Sequence, residues 1–298
     1  MKFLSGVVFY NKPKNITSFG LVKKIQRQIE KMYNQKIKVG HTGTLDKFAE
    51  GLMVLLIQEA TVFSEYFLKR EKTYIAEMQL GKETDTLDPE GKILREWGED
   101  AIRDFVIENK QKILREVKDL VHLKNQIPPK YSAIKISGKR SSDWIRKGVE
   151  VSLKPREIAI YKSEVIELLE DGRLCVELSV SSGTYIRAIA RDLGLILGIP
   201  VMLNHLKRIS IGDWSLSNSF ISNENQILLQ PIQKVLKWDT IQLRESFVRR
   251  IQKGNLVKLD LNPIRTENFF ILDQNHQIVA WCKKINDSQY MLKKVFTK

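Results

Sequence analysis

The stretch Gly40-His41-Thr42-Gly43-Thr44-Leu45-Asp46-Lys47-Phe48-Ala49-Glu50-Gly51 holds the residue types a reactive loop needs. Its glycines permit backbone conformations or close approaches closed to other residues. Its two threonines can fix the loop through side-chain to backbone bonds. A histidine and an aspartate sit five positions apart, so an acid or base and a nucleophilic carboxylate are both available. The plain alternative is a capped turn in which Asp46 only bonds its own backbone. Directly after the loop, Leu52-Met53-Val54-Leu55-Leu56-Ile57 reads as a buried strand, a rigid support for a loop that must hold a side chain still.

Composition narrows the chemistry. The chain has 298 residues, 43% of them hydrophobic, enough for one large domain and a small one. Lys and Arg number 49 against 35 Asp and Glu, a net charge of +14, with a pI near 9.6. This balance points to a polyanionic partner, nucleic acid first and an acidic membrane second. No apolar run reaches membrane-spanning length and no signal peptide is visible, so the expected compartment is the cytoplasm. The two cysteines, Cys175 and Cys282, suggest no disulfide framework. The histidines His41, His122, His205 and His276 show no metal spacing, and neither a Gly-rich phosphate loop nor a dinucleotide fingerprint is present. An enzyme of this composition is expected to work without metal or organic cofactor.

The elements that must position the loop follow in order. Val7 to Tyr10 reads as a short strand, and Thr17 caps a helix with Leu21, Ile25 and Ile29 on one face and Lys23, Lys24, Arg27 and Lys31 on the other. Residues 60–68 read as a short helix. Lys72 to Leu80 alternates, with Tyr74, Ala76, Met78 and Leu80 on one side, as a half-buried strand does. Residues 81–91 form a polar connection ending in the turn Asp88-Pro89-Glu90-Gly91. Residues 100–120 have helical spacing. The segment 126–146 mixes Lys, Arg, aromatic residues and glycine, which suits an RNA-binding loop or an exposed hairpin. A hairpin turns about Glu170-Asp171-Gly172, a helix starts near Tyr185 and stops at Gly198, and 201–211 is a strand. Residues 227–235 are expected to be helical. From Trp238 short strand-like pieces alternate with turns. The irregular alternation of strands and helices predicts an α+β fold, not a doubly wound one.

Three stretches together resemble the pseudouridine synthases, in the order and spacing of the bacterial tRNA pseudouridine-55 synthases of the TruB family. Gly40 to Gly51 is similar to that family's G-H-x-G-x-L-D-P-x-A-x-G. Lys72-Thr73-Tyr74 resembles its K-x-Y, and Gly183-Thr184-Tyr185-Ile186-Arg187 its G-T-Y-I-R. The opening Asn11-Lys12-Pro13, Pro129 to Ala133 and Leu206-Lys207-Arg208 agree as well. Lys47 stands where the family pattern has proline, placing a flexible cation beside Asp46.

The resemblance implies a mixed, mainly antiparallel central sheet flanked by helices over residues 1–237, an RNA-binding insertion at about 124–152, and a small β-rich, PUA-like RNA-binding domain over 238–298. It implies isomerisation of uridine to pseudouridine at position 55 in the T loop of tRNA, by flipping the base, without cofactor, metal or guide RNA; a monomer is the simplest expectation, since the sequence shows no evident assembly surface. Asp46 is then the essential carboxylate and Arg187 its ion partner. Tyr74 stacks on the flipped base, Leu206 packs on its other side, Tyr185 supports the pocket and His41 fills the space the base leaves. Lys12, Lys130, Lys135, Lys139, Arg140 and Arg208 become phosphate contacts. Two other readings use the same surface: an RNA-binding protein without catalysis, and a guide-RNA-dependent synthase. If phosphate contacts dominate, tRNA affinity measured across a salt series falls steeply with salt; a salt-independent affinity would contradict the electrostatic reading.

Overall fold

The alternation read from Lys72–Leu80 builds the middle of the protein. A computed structural model describes residues 5–136, 138–218 and 220–296. In chain order it contains β1 (Gly6–Lys12), α1 (Ser18–Tyr33), β2 (Val39–His41), β3 (Glu50–Ile57), β4 (Lys72–Leu80), α2 (Glu99–Asp119), β5 (Ile160–Leu168), β6 (Arg173–Val180), α3 (Ile186–Leu197) and β7 (Val201–Ile211). These strands lie in one sheet in the order β5, β6, β4, β7, β3, β1, with Ile221–Ser222 beside β1. The β5/β6, β6/β4, β4/β7 and β2/β3 pairs are antiparallel; β7/β3 is parallel. The fold is therefore α+β with a mixed, mainly antiparallel sheet.

Burial follows the sequence pattern. β4 alternates buried and half-buried residues, as period-two patterning requires, while β3 is buried from Gly51 through Ile57, as expected of a continuous apolar run covered on both faces. Thr17 caps α1 by accepting from the Gly20 amide at 3.0 Å, and Leu21, Val22, Ile25 and Ile29 form its inner face. α3 buries Ile186, Ala188, Ile189, Ala190, Leu193 and Leu197, and buries Arg187 with them.

Two elements differ from expectation. Residues 58–68 form a 3₁₀ segment, Gln58–Phe63, before a one-turn helix, Ser64–Leu68. The helix expected over 227–235 is confined to Ile232–Leu236, because Pro231 holds the residue before it out of the helical region.

The chain divides into two compact units, Val8–Leu228 and a second made of Met1–Val7 with Leu229–Lys298. In the second, Asp239–Gln242 runs parallel to Asn268–Leu272, which pairs antiparallel with Ile278–Lys284 and that in turn with Tyr290–Val295. Helix Glu245–Gln252 contributes Val248 and Ile251 to a core with Val257, Leu261, Phe269, Ile271, Val279 and Cys282. Among the described residues no helix is long and apolar enough to cross a membrane.

Backbones approach closely where β3 meets β7. Gly51 pairs with Arg208 and has φ of +112°; a Cβ there would stand 2.3 Å from the Arg208 carbonyl oxygen. Gly51→Ala should therefore cost about 3 kcal/mol or more in urea unfolding, from strain and displacement of β7 together. A loss of about 0.5 kcal/mol or less, the spread of ordinary surface changes, would mean that the strands separate freely.

Candidate active site

Asp46 sits in the loop joining β2 to β3, and donors from three directions hold that loop. The Thr42 amide continues the hairpin by donating to the Val54 carbonyl at 3.1 Å. At the start of α1 the buried Ser18 hydroxyl accepts from the Leu45 amide and donates to the Leu45 carbonyl, each at 2.8 Å. The Asn15 amide donates to the Lys47 carbonyl at 2.9 Å, and the Ala49 amide to the Asp46 carbonyl at 3.2 Å. Asp46 is thus fixed on both sides without the proline of the family pattern.

Two cations expected to meet phosphate are instead buried beneath this loop. Lys12 donates to the carbonyls of Ile16 at 2.8 Å and Pro13 at 3.0 Å, and its Nζ reaches the Lys47 carbonyl at 3.5 Å. Arg208 donates from Nε to the Leu52 carbonyl at 2.7 Å and from a terminal nitrogen to the Gly43 carbonyl at 3.1 Å. Both are fully or almost fully buried, so they hold the loop and its strand and do not face an RNA backbone. Lys72 behaves alike: its ammonium donates to the carbonyls of Leu68 and Arg70, each at 2.5 Å. Burial pushes Lys12 and Lys72 down to about 8, with the Arg208 charge adding to the effect on each.

The decisive geometry surrounds Arg187. Its side chain is 7% exposed and lies between two carboxylates, with Nε 3.0 Å from Asp46 Oδ2 and a terminal nitrogen 3.1 Å from Asp88 Oδ2. Its other terminal nitrogen donates to Asp46 Oδ1 at 3.3 Å and to the Tyr131 carbonyl at 3.0 Å, and a further bond reaches the Thr86 carbonyl at 2.9 Å. The two carboxylates differ in access: the Asp46 side chain is 39% exposed, that of Asp88 6%. Burial pushes the Asp88 carboxyl up, against the Thr86 hydroxyl at 2.6 Å and Arg187, which favour its charge. Asp88 is held in place; Asp46 is oriented yet open to a ligand.

The other expected substrate contacts sit on β4, on β7, at the end of β2 and at the head of α3. Tyr74 on β4 pairs with Arg208 on β7, and Leu206 pairs with Ala76 two positions along, so Tyr74 and Leu206 share one face of the sheet beside the strand that supports the loop. Tyr185 stands at the head of α3, its amide donating to Gln126 Oε1 at 2.9 Å while Gln126 Nε2 donates to its carbonyl at 3.1 Å. Burial raises the Tyr185 phenol and keeps it neutral. His41 ends β2, and its Nδ1 accepts from the Gly43 amide at 3.4 Å. Burial and the Arg208 charge push its imidazole down, so it is neutral at pH 7. Lys130, Lys135, Lys139 and Arg140 are exposed on and beside the small hairpin Lys135–Ile136/Lys139–Arg140, with Lys139 lying 5.1 Å over the Trp144 ring. Among the described residues no cluster of three or more His, Cys, Asp or Glu is placed to hold a metal ion.

Asp88 and Gln126 escaped the sequence reading. Asp88 looked like the first residue of a turn, and its one signal was the flanking Thr84, Asp85 and Thr86 in a segment too polar for a simple connection. Gln126 had no signal beyond its place before Ile127-Pro128.

The family described as TruB family pseudouridylate synthase (N terminal domain) matches residues 30–186. The chain belongs to the TruB family. A tRNA pseudouridine synthase B of Clostridium tetani is 39% identical over 307 residues, covering 97% of this chain and 99% of its own. One of Leptospira interrogans is 34% identical over 301 residues, covering 99% of this chain and 95% of its own. Among solved structures, a Cbf5-Nop10-Gar1 complex contains a chain that superposes with a TM-score of 0.66 at 22% identity, over 98% of this chain and 85% of that one, which is agreement of fold. The family match and these relatives support pseudouridine synthase activity for the chain.

The unequal access of the two carboxylates predicts unequal costs of removal. Asp88→Ala strips a buried partner from Arg187 and should cost about 3 kcal/mol in urea unfolding, whereas Asp46→Ala, at a half-open position, should cost much less. Equal losses would contradict the assignment of Asp88 as the anchor.

Proposed function

We propose that this protein converts uridine to pseudouridine at position 55 in the T loop of tRNA, acting on tRNA alone. The observation that carries the reading is the pairing of a half-open Asp46 with a buried Arg187 on a well-held loop. The names of the relatives, tRNA pseudouridine synthase B, support the substrate.

The reaction is an isomerisation: the bond from C1′ to N1 breaks, one from C1′ to C5 forms, the C5 proton leaves, and N1 ends protonated. No redox change and no net co-reactant enters. The target base must leave its stack to expose these atoms. Tyr74 stacks against it, Leu206 packs beside it, His41 fills the vacated space and Tyr185 lines the pocket, each acting as a neutral surface. Asp46 is the essential carboxylate, attacking C1′, attacking the base or acting as a base at the sugar. Each role needs a free oxygen directed at the substrate, and Arg187 supplies the orientation. Residues 1–237 act as the catalytic domain and 238–298 as a PUA-like RNA-binding domain. The exposed cations Lys130, Lys135, Lys139 and Arg140, in the insertion over about 124–152, engage the phosphates of the T arm.

Tritium release from C5-labelled uridine in an unmodified tRNA transcript, with purified protein and no guide RNA, tests the proposal. Wild type should release tritium, and Asp46→Asn should release none while still binding the transcript. Undiminished release by Asp46→Asn would overturn the assignment of the carboxylate. No release by the wild type, with binding retained, would overturn stand-alone catalysis.

A further inference from the structure

The loops that carry the two carboxylates are bridged a second time, outside Arg187. Lys47 follows Asp46, Glu90 lies two residues beyond Asp88, and the Lys47 ammonium stands 3.4 Å from Glu90 Oε1. The contacts close a ring: Asp46 to Arg187, Arg187 to Asp88, along the chain to Glu90, and from Glu90 to Lys47 beside Asp46. One half of this ring is buried and the other is not. The Lys47 and Glu90 side chains are 52% and 42% exposed.

A pair this exposed is weak, because water screens it and two long side chains lose freedom to form it. It does not hold the loop. The Lys47 carbonyl is already taken by the Asn15 amide, and the Asp46 carbonyl by the Ala49 amide. The neighbouring Lys12 is turned inward, its donors given to backbone carbonyls. Lys47 thus keeps a half-exposed positive charge next to the carboxylate that must approach a sugar, paired with a carboxylate that is itself half-exposed.

That placement has a chemical use. A nucleotide whose sugar reaches Asp46 brings a phosphate on either side, and the negative Asp46 repels both. A lysine one residue away offsets that repulsion and can reach a phosphate with its flexible stem. Building on the reading of the site as one that takes a nucleotide of tRNA, we propose that Lys47 binds a backbone phosphate flanking the target nucleotide and that Glu90 is its resting counter-ion, displaced when the phosphate arrives. Glu90 then opposes RNA binding, and the two residues act with opposite sign although they contact each other.

The opposite signs give the test. A tRNA transcript is first converted by the wild-type protein, which checks the underlying function by itself: a transcript that is never converted overturns that function before Lys47 is in question. Affinity for the converted transcript is then measured across a salt series for wild type, Lys47→Met, Glu90→Gln and the double variant, with thermal melting recorded for each. Lys47→Met should weaken binding several-fold at low salt and reduce the log–log salt slope by about 0.7 to 0.9, the effect of one lost phosphate contact. Glu90→Gln should tighten binding, and that gain should vanish in the double variant, because it acts through Lys47. Lys47→Arg should bind like wild type. If both single variants weaken binding together, or if Lys47→Met leaves the salt slope unchanged, Lys47 and Glu90 form a structural latch and the proposal is wrong.

Discussion

The organisation of this protein depends on keeping one guanidinium out of water. Arg187 lies in the first turn of α3, where Ile186, Ala188 and Ile189 are buried as well and an uncompensated charge would be very costly. Its compensation comes from three separate segments: Asp46 from the β2–β3 loop, Asp88 and the Thr86 carbonyl from the turn after β4, and the Tyr131 carbonyl from the stretch before the basic hairpin. The planar fork of arginine can serve several partners in fixed directions, which a lysine cannot. A charge that must be satisfied therefore gathers these segments, and of its two carboxylate partners Asp46 is the one left open.

Beneath the loop a second set of buried cations does the opposite work. Lys12, Lys72 and Arg208 direct their donors at carbonyl oxygens of turns, of the loop and of β3. They keep the backbone of the loop, of β3 and of the turn before β4 in place. Orientation of Asp46 then comes from Arg187, while the position of its Cα comes from Ser18, Asn15 and these cations. The positive charge of the chain is thus divided: part is structural and hidden, and part, as on the 130–140 segment, is exposed to solvent.

Much of this was legible in the sequence, and for physical reasons. The continuous apolar run of β3, the alternation of β4 and the strand over 201–211 carry period and length signals that local chemistry settles. The Gly40–Gly51 loop and the Tyr185-Ile186-Arg187 start of α3 stood out by residue type. What stayed hidden were facts of burial and partnership. The resemblance implied phosphate contacts at Lys12 and Arg208, and nothing local argued against them, because a lysine whose ammonium caps three carbonyls looks, as a letter, like one in solvent. Asp88 was hidden for the same reason: its role comes from a partner about a hundred residues away, which no local pattern records. The helix expected over 227–235 failed on a local rule, the proline at 231, that the apolar spacing masked.

The central claim is that Arg187 must bridge two carboxylates in a fixed geometry for Asp46 to act. Arg187→Lys tests it most directly, since the charge is kept and the fork is lost. Single-turnover tritium release from C5-labelled tRNA should be measured for this variant beside wild type, with tRNA affinity recorded in parallel. The account predicts a rate lower by on the order of 100-fold with affinity retained, the cost of a misoriented reacting group. Release at the wild-type rate would contradict it.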